Sequence, residues 1–108
     1  MNKWELVCFS INRRYRKGFI TIGRQDILKF VYYGEKIPSK PWTVDGYRRM
    51  LQLGGYIETI KPGVYKILKY IPLGLKKREL RKKVYPKTYY YEKHGIKPIF
   101  GFEIGSII

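Results

Sequence analysis

The first seventeen residues carry apolar side chains at the spacing of one face of a helix. These positions are Trp4, Val7, Cys8, Ile11 and Tyr15. Asn2 and Glu5 stand three residues apart, as in a capping box, so a helix is predicted over residues 2–17. Gly18 follows and can adopt the left-handed conformation that ends a helix.

Two shorter patterns come next. Residues 18–22, GFITI, are β-branched and aromatic, which is typical of a single short strand. Residues 24–33 predict a second helix, with Asp26 in its first turn and Gly34 just past its end. The apolar side of this helix consists of Ile27, Phe30 and Val31, with Leu28 as a further candidate.

A third helix is predicted after a loop at residues 34–41, which two prolines interrupt. Thr43 is a favourable N-cap residue and Asp45 falls in the first turn, so the helix is predicted over residues 43–54. Its apolar stripe consists of Val44, Tyr47 and Leu51. Asp45 is expected on the polar side, where its carboxylate would repel phosphate unless it accepts a hydrogen bond from a base amine.

Alternating apolar and polar side chains on both sides of Lys61-Pro62-Gly63 predict an antiparallel hairpin over residues 56–71. From Pro72 the composition becomes basic, with six Lys or Arg among the eight residues 76–83. A thin apolar stripe predicts that this segment is a helix packed by one edge: Leu75, Leu80 and Val84. Residues 86–108 are aromatic and β-prone.

Net charge limits the classes of partner. The 108-residue chain has 23 Lys and Arg against 8 Asp and Glu, a net charge of +15. A small protein with this charge repels itself unless it meets a polyanion, and nucleic acid is the partner we expect. An anionic membrane would require a basic helix with a broad apolar face, so no membrane partner is predicted.

Composition also bears on location and origin. Apolar runs are shorter than the roughly 20 residues that span a bilayer, and the N-terminus lacks the layout of a signal peptide. The single cysteine fits a reducing compartment, so a cytoplasmic protein is expected. The absence of alanine and the scarcity of Asn and Gln resemble small proteins of archaeal viruses or plasmids from hot habitats, which would place it in the host cytoplasm.

The predicted order is helix, strand, helix, loop, helix and hairpin, and over residues 3–71 it resembles the winged helix-turn-helix domain. The most specific match lies where the third helix meets the hairpin, at Leu51, Gly55, Tyr56 and Ile57. The resemblance implies an α+β fold with three helices, a short strand and a two-stranded β-hairpin wing. Residues 1–71 would form the winged-helix domain, and residues 72–108 a basic and aromatic C-terminal extension that is not an independent domain.

The resemblance implies a sequence-specific double-stranded DNA-binding protein that regulates transcription. Helix 43–54 would enter the major groove and wing 56–71 would contact the adjacent backbone. Gly46 costs about 1 kcal/mol relative to alanine in a helix but allows a close approach. The candidate contacts on and before the helix are Lys40, Thr43, Gly46, Arg48, Arg49 and Gln52; those on the wing and the basic extension are Lys61, Lys66, Lys69, Lys76, Lys77 and Arg78.

Other interpretations remain open. The chain could bind RNA or single strands, or associate with the ribosome, using aromatic side chains as a stacking platform. A protein-interaction winged helix that modulates a host machine such as RNA polymerase is a third hypothesis. Solvated faces alone would also explain Arg48, Arg49 and residues 76–83. Homodimerisation is expected only from the symmetry of operators.

Signals for an enzyme are poor, so neither catalysis nor a cofactor is predicted. One histidine and one cysteine cannot form a metal cluster, and three serines suggest no triad. A tyrosine nucleophile beside Lys93 and His94, in the run Tyr89 to Tyr91, is the only candidate chemistry. Packed or stacking aromatic side chains are the more economical interpretation of that run.

Overall fold

A capping box and a left-handed glycine delimit the first helix. In the computed structural model, which describes residues 1–85, α1 covers Lys3–Arg16. Asn2 Oδ1 accepts from the Glu5 backbone N–H at 2.8 Å, and the Asn2 N–H donates to Glu5 Oε1 at 3.0 Å. Gly18 has φ +94°, a conformation that glycine adopts without steric cost. The predicted first helix and its two end signals are confirmed.

The second helix begins directly after the first strand. Strand β1 covers Thr21–Gly23 and helix α2 covers Arg24–Val31. The strand therefore lies later than the predicted residues 18–22. The Gly23 N–H donates to Asp26 Oδ2 at 2.9 Å, which satisfies one of the free amides at the start of α2.

Helix α3 covers Trp42–Leu53, and its start corrects one prediction. Thr43 is not the N-cap residue, because Pro41 holds that position and its carbonyl accepts from the Asp45 N–H at 3.0 Å. Proline has a fixed φ close to helical values and cannot donate, so it is well suited to a helix start. Thr43 consequently lies within the first turn, with its side chain exposed.

Three antiparallel strands form one sheet, in the order β1-β3-β2. Strand β2 covers Ile57–Lys61 and strand β3 covers Val64–Ile67, with Gly63 at φ +79° in the corner. The predicted hairpin is confirmed, but its strands are shorter than residues 56–71 because β3 ends at Ile67. The pairing of β1 with β3 was not predicted, since sequence spacing does not reveal long-range strand partners.

A fourth helix completes the described structure. Helix α4 covers Lys77–Val84 and buries Leu80 in the same core as α1, α2, α3 and the sheet. The predicted helix packed by one edge is confirmed, and the fold has four helices rather than three in residues 1–85. The largest fully buried side chains are Val7, Ile11, Ile27, Leu28, Val44, Leu51, Ile57 and Ile71. The architecture is thus α+β, with four helices and a three-stranded antiparallel sheet.

A buried amide connects α1 to the segment that leaves the sheet. Asn12 Nδ2 donates to the Ile71 carbonyl at 2.9 Å, and the Ile71 N–H donates to Asn12 Oδ1 at 2.8 Å. Asn12 is only 3% exposed, so these bonds satisfy polar groups that water cannot reach. The chain is thereby held to the core immediately before it continues towards α4.

Candidate nucleic-acid interface

The side of α3 that faces away from the core is open to solvent. Arg49 is exposed on this outer face, and no hydrogen bond or ion pair to its side chain occurs within residues 1–85. Trp42 is 73% exposed and Leu53 is 52% exposed at the two ends of the same face. Thr43 and Gly46 are also exposed. The outer face therefore presents one cation that has no partner among the described residues, and this cation lies between small and apolar residues.

Asp45 does not stand free on this face, contrary to the expectation from sequence. Its two carboxylate oxygens accept from Nε and one terminal nitrogen of Arg24, each at 2.9 Å. Such a two-pronged pair fixes both side chains and connects the first turns of α2 and α3. The hydrogen bond to Asp45 raises the pKa of Arg24 above its ordinary value. The negative charge predicted to repel phosphate is thus compensated within the protein.

Arg48 and Gln52 turn from α3 towards the hairpin. The Arg48 guanidinium lies 4.8 Å from the ring centroid of Tyr65 and donates to Gln52 Oε1 at 3.1 Å. Gln52 Oε1 also accepts from Thr59 Oγ1 at 2.9 Å, which joins α3 to β2. Arg48 is half-buried, and its Nε has no partner in the described residues. These two candidate contacts therefore already serve to hold α3 against the sheet.

The three hairpin lysines occupy different surroundings. Lys61 is exposed where β2 ends at the corner. Lys66 lies in the central strand directly opposite Glu58 and Thr21, so a carboxylate stands beside it. Lys69 Nζ lies 4.9 Å from the ring centroid of Tyr56, beyond the end of β3. The structure places Lys61 alone at the tip, while the other two lie further back.

Helix α4 brings a cationic surface next to α3. Lys77 Nζ donates to the Tyr47 hydroxyl at 3.4 Å and lies 5.3 Å from the centre of its ring. Lys76 and Arg78 are exposed at the start of α4. Lys82 and Lys83 are exposed at its end; they belong to the basic segment 76–83 that was expected to add phosphate contacts, although only Lys76, Lys77 and Arg78 were named individually. Lys40, exposed before α3, lies with Nζ 5.6 Å from the ring centroid of Trp42.

A groove of about 530 Å³ runs between α3 and α4. Its lining consists of Trp42, Thr43, Gly46, Tyr47, Met50, Arg81 and Tyr85. Trp42 and Arg81 were not among the predicted contacts. Trp42 follows Pro41 directly, so recognising proline as a helix-start residue would have placed Trp42 in the first turn. Arg81 lines the groove only because α4 packs against α3, and residue spacing in the sequence does not indicate that α3 is the partner of α4.

Metal-ligating side chains do not cluster in the described structure, and its one thiol is partly buried. Within residues 1–85, no three His, Cys, Asp or Glu side chains lie close enough together to hold a metal ion. Burial raises the pKa of the Cys8 thiol to about 12, so it is protonated at neutral pH and a poor nucleophile. The tyrosine run 89–91, with Lys93 and His94, lies outside the described residues.

The chain matches no protein-family model, no curated protein and no solved structure. Among the described helices, none combines the length and apolar character needed to cross a membrane. Geometry and charge are therefore the basis for assigning a function.

Proposed function

We propose that this protein is a winged-helix protein that binds double-stranded DNA in a sequence-specific manner and regulates transcription. Helix α3 would enter the major groove, the β2–β3 hairpin would lie on the adjacent backbone as the wing, and α4 would add phosphate contacts. The sheet order β1-β3-β2, with α3 packed beside the hairpin, supports a winged-helix arrangement. Binding would need no cofactor and no catalytic step.

The outer face of α3 is the observation that carries the proposal. Arg49 projects from it without a hydrogen-bond or ion-pair partner in residues 1–85, and Asp45, the one acid of this helix, is neutralised by Arg24. Hydrogen bonds and ring contacts hold the wing and α4 against this helix, so the three elements would meet DNA as one rigid surface. An arginine on such a face can bond two acceptors of guanine or grip a phosphate.

The test measures binding of the full chain to duplex DNA, single-stranded DNA and RNA across a salt series. Specific duplexes would first be selected from a random pool. Arg49→Ala is expected to weaken the selected duplex by roughly 5- to 150-fold, the range of a good arginine–base contact. Arg16→Ala removes an exposed cation of α1 and is the matched control, with a much smaller effect.

The same experiment addresses the alternatives. Trp42, 73% exposed next to Lys40, favours stacking on unpaired bases as the second candidate function. Preference for single strands that persists in Arg49→Ala would establish that candidate and refute duplex recognition. If no nucleic acid binds near physiological salt, the protein-interaction hypothesis replaces both. Regulation of transcription, homodimerisation and a place in the host cytoplasm stay predictions until binding is measured.

A further inference from the structure

Gly46 has no structural reason to be glycine. It lies in the middle of α3, outside the left-handed backbone region, and a Cβ added there meets no atom of residues 1–85 within 4 Å. Gly55 differs because its φ of +85° requires glycine. Gly54 differs because an added Cβ would come within 2.9 Å of Leu80 Cδ1. A glycine inside a helix is destabilising relative to alanine, so Gly46 weakens α3 without serving its conformation or packing.

The surroundings of Gly46 suggest what approaches it. Gly46 forms part of the α3 wall of the groove, one turn after Trp42 and one turn before Met50. The opposite wall is formed by Arg81 of α4 and by Tyr85, which follows the end of that helix. Arg78 lies three residues before Arg81 and so is its neighbour on the surface of α4, and Lys82 lies one turn after Arg78; both are exposed. The α3 wall of the groove therefore includes the exposed ring of Trp42, and cations of α4 lie on the opposite side.

We propose that one sugar–phosphate strand of duplex DNA lies in the groove between α3 and α4 and makes its closest approach at Gly46. This inference rests on the proposed function and adds where the strand passes. The deoxyriboses would contact Trp42, which is 73% exposed, and the phosphates would face Arg78 and Lys82. A β-carbon at position 46 would stand between the helix and the strand, which accounts for glycine at this position.

The decisive experiment compares stability and DNA affinity in the same variants. Gly46→Ala is expected to raise the melting temperature by roughly 4–8 °C, because alanine favours the helix and meets no clash. It is also expected to weaken the selected duplex about 10-fold, and Gly46→Leu more strongly. Gly74→Ala is the matched control, since a Cβ there also meets nothing within 4 Å and its φ is not left-handed.

A second measurement tests the cations of α4. Replacing Arg78 and Lys82 together with glutamine should reduce the slope of log affinity against log salt by about 2, one for each lost phosphate contact. Replacing Arg16 and Lys29, exposed cations of α1 and α2, removes the same charge and should change the slope much less. The comparison separates local phosphate contact from a general loss of positive charge.

The outcomes separate this inference from the proposed function. A more stable Gly46→Ala that binds the duplex less tightly, together with a normal Gly74→Ala, would support the groove. If Gly46→Ala and Gly46→Leu bind like the wild type while Arg49→Ala is weakened, duplex recognition stands and the groove assignment is wrong. If the wild type binds no duplex, both proposals fail together.

Discussion

Internal partners decide which polar side chains of α3 are available to a ligand. Asp45 is held by Arg24, and Arg48 and Gln52 are engaged with Tyr65 and Thr59. Among the polar side chains predicted on the outer face, Arg49 and Thr43 have no such partner in residues 1–85. At the residue scale, fewer side chains of α3 are therefore available to a ligand than the number of polar positions along the helix suggests.

Asn12 provides a test of how single polar groups stabilise the fold. Asn12→Ala should lower the free energy of unfolding by about 2–4 kcal/mol, because it leaves the buried N–H and C=O of Ile71 without their partner. Denaturant unfolding monitored by Trp fluorescence measures the change. Ser10→Ala is the control, since its hydroxyl bonds only to Val7 of the same helix and should cost about 1 kcal/mol. Equal costs would show that the link to Ile71 contributes little.

At the scale of elements, two adjacent glycines connect three of them for different reasons. Gly55, at φ +85°, lets the chain turn from α3 into β2. Gly54 has ordinary backbone angles, φ −80° and ψ −2°, but leaves the space into which Leu80 of α4 packs. Gly55 therefore allows the connection from α3 to the wing, and Gly54 allows the contact between α3 and α4. Because these roles differ, a single glycine would not fulfil both.

A double-mutant cycle between Gly54 of the α3 end and Leu80 of α4 tests whether Gly54 is needed for packing against α4. Gly54→Ala should destabilise the fold by roughly 1–3 kcal/mol, through overpacking against Leu80. Leu80→Ala alone should cost about 2–5 kcal/mol, and in that background the cost of Gly54→Ala should fall, because only the looser contacts with Met50 O at 3.3 Å and Tyr56 Cδ2 at 3.4 Å remain. Thermal unfolding of the wild type, the two single variants and the double variant gives the coupling free energy between the two positions.

Gly55→Ala serves as the control for this cycle, because its cost of about 1 kcal/mol comes from the left-handed backbone and should be the same in both backgrounds. A Gly54→Ala cost that Leu80→Ala leaves unchanged would contradict direct packing between α4 and the end of α3.

Charge acts on the whole molecule. The net charge of +15 opposes the compact state, and anionic ligands that bind only the folded chain would offset that repulsion. The positive groups are not confined to one element, since α1 ends in Arg13, Arg14 and Arg16 while α4 carries its own run. Positive charges over the entire surface therefore contribute to long-range attraction of a polyanion. The specific contacts involve only a part of that surface.

Salt should affect the free and the bound protein in opposite directions. Raising NaCl should increase the melting temperature of the free chain, because screening weakens its self-repulsion. The selected duplex, at about 100 times its Kd, should add about 2.7 kcal/mol of stability at low salt, and this gain should shrink as salt rises. Differential scanning fluorimetry with and without duplex measures both effects. A duplex gain that does not depend on salt would contradict phosphate contacts.

Local signals were sufficient to place most of the elements. The capping box at Asn2, the stop at Gly18 and the corner at Gly63 are confirmed because each is set by neighbours within a few residues. The start of α3 was misplaced because a strong N-cap type at Thr43 was weighed above the proline two residues earlier. The domain boundary after residue 71 stays a prediction, as does the role of residues 86–108, which lie outside the described structure.

By itself, the sequence determined the order of helices and strands, the apolar faces that form the core and the excess of positive charge. These properties depend on backbone preference, periodicity and composition, which are local or additive. Only the tertiary structure decided that β1 pairs with β3, that Arg24 neutralises Asp45, and that Leu80 packs at Gly54. Each of these contacts joins residues more than twenty positions apart, and their distances depend on how the elements pack rather than on spacing along the chain.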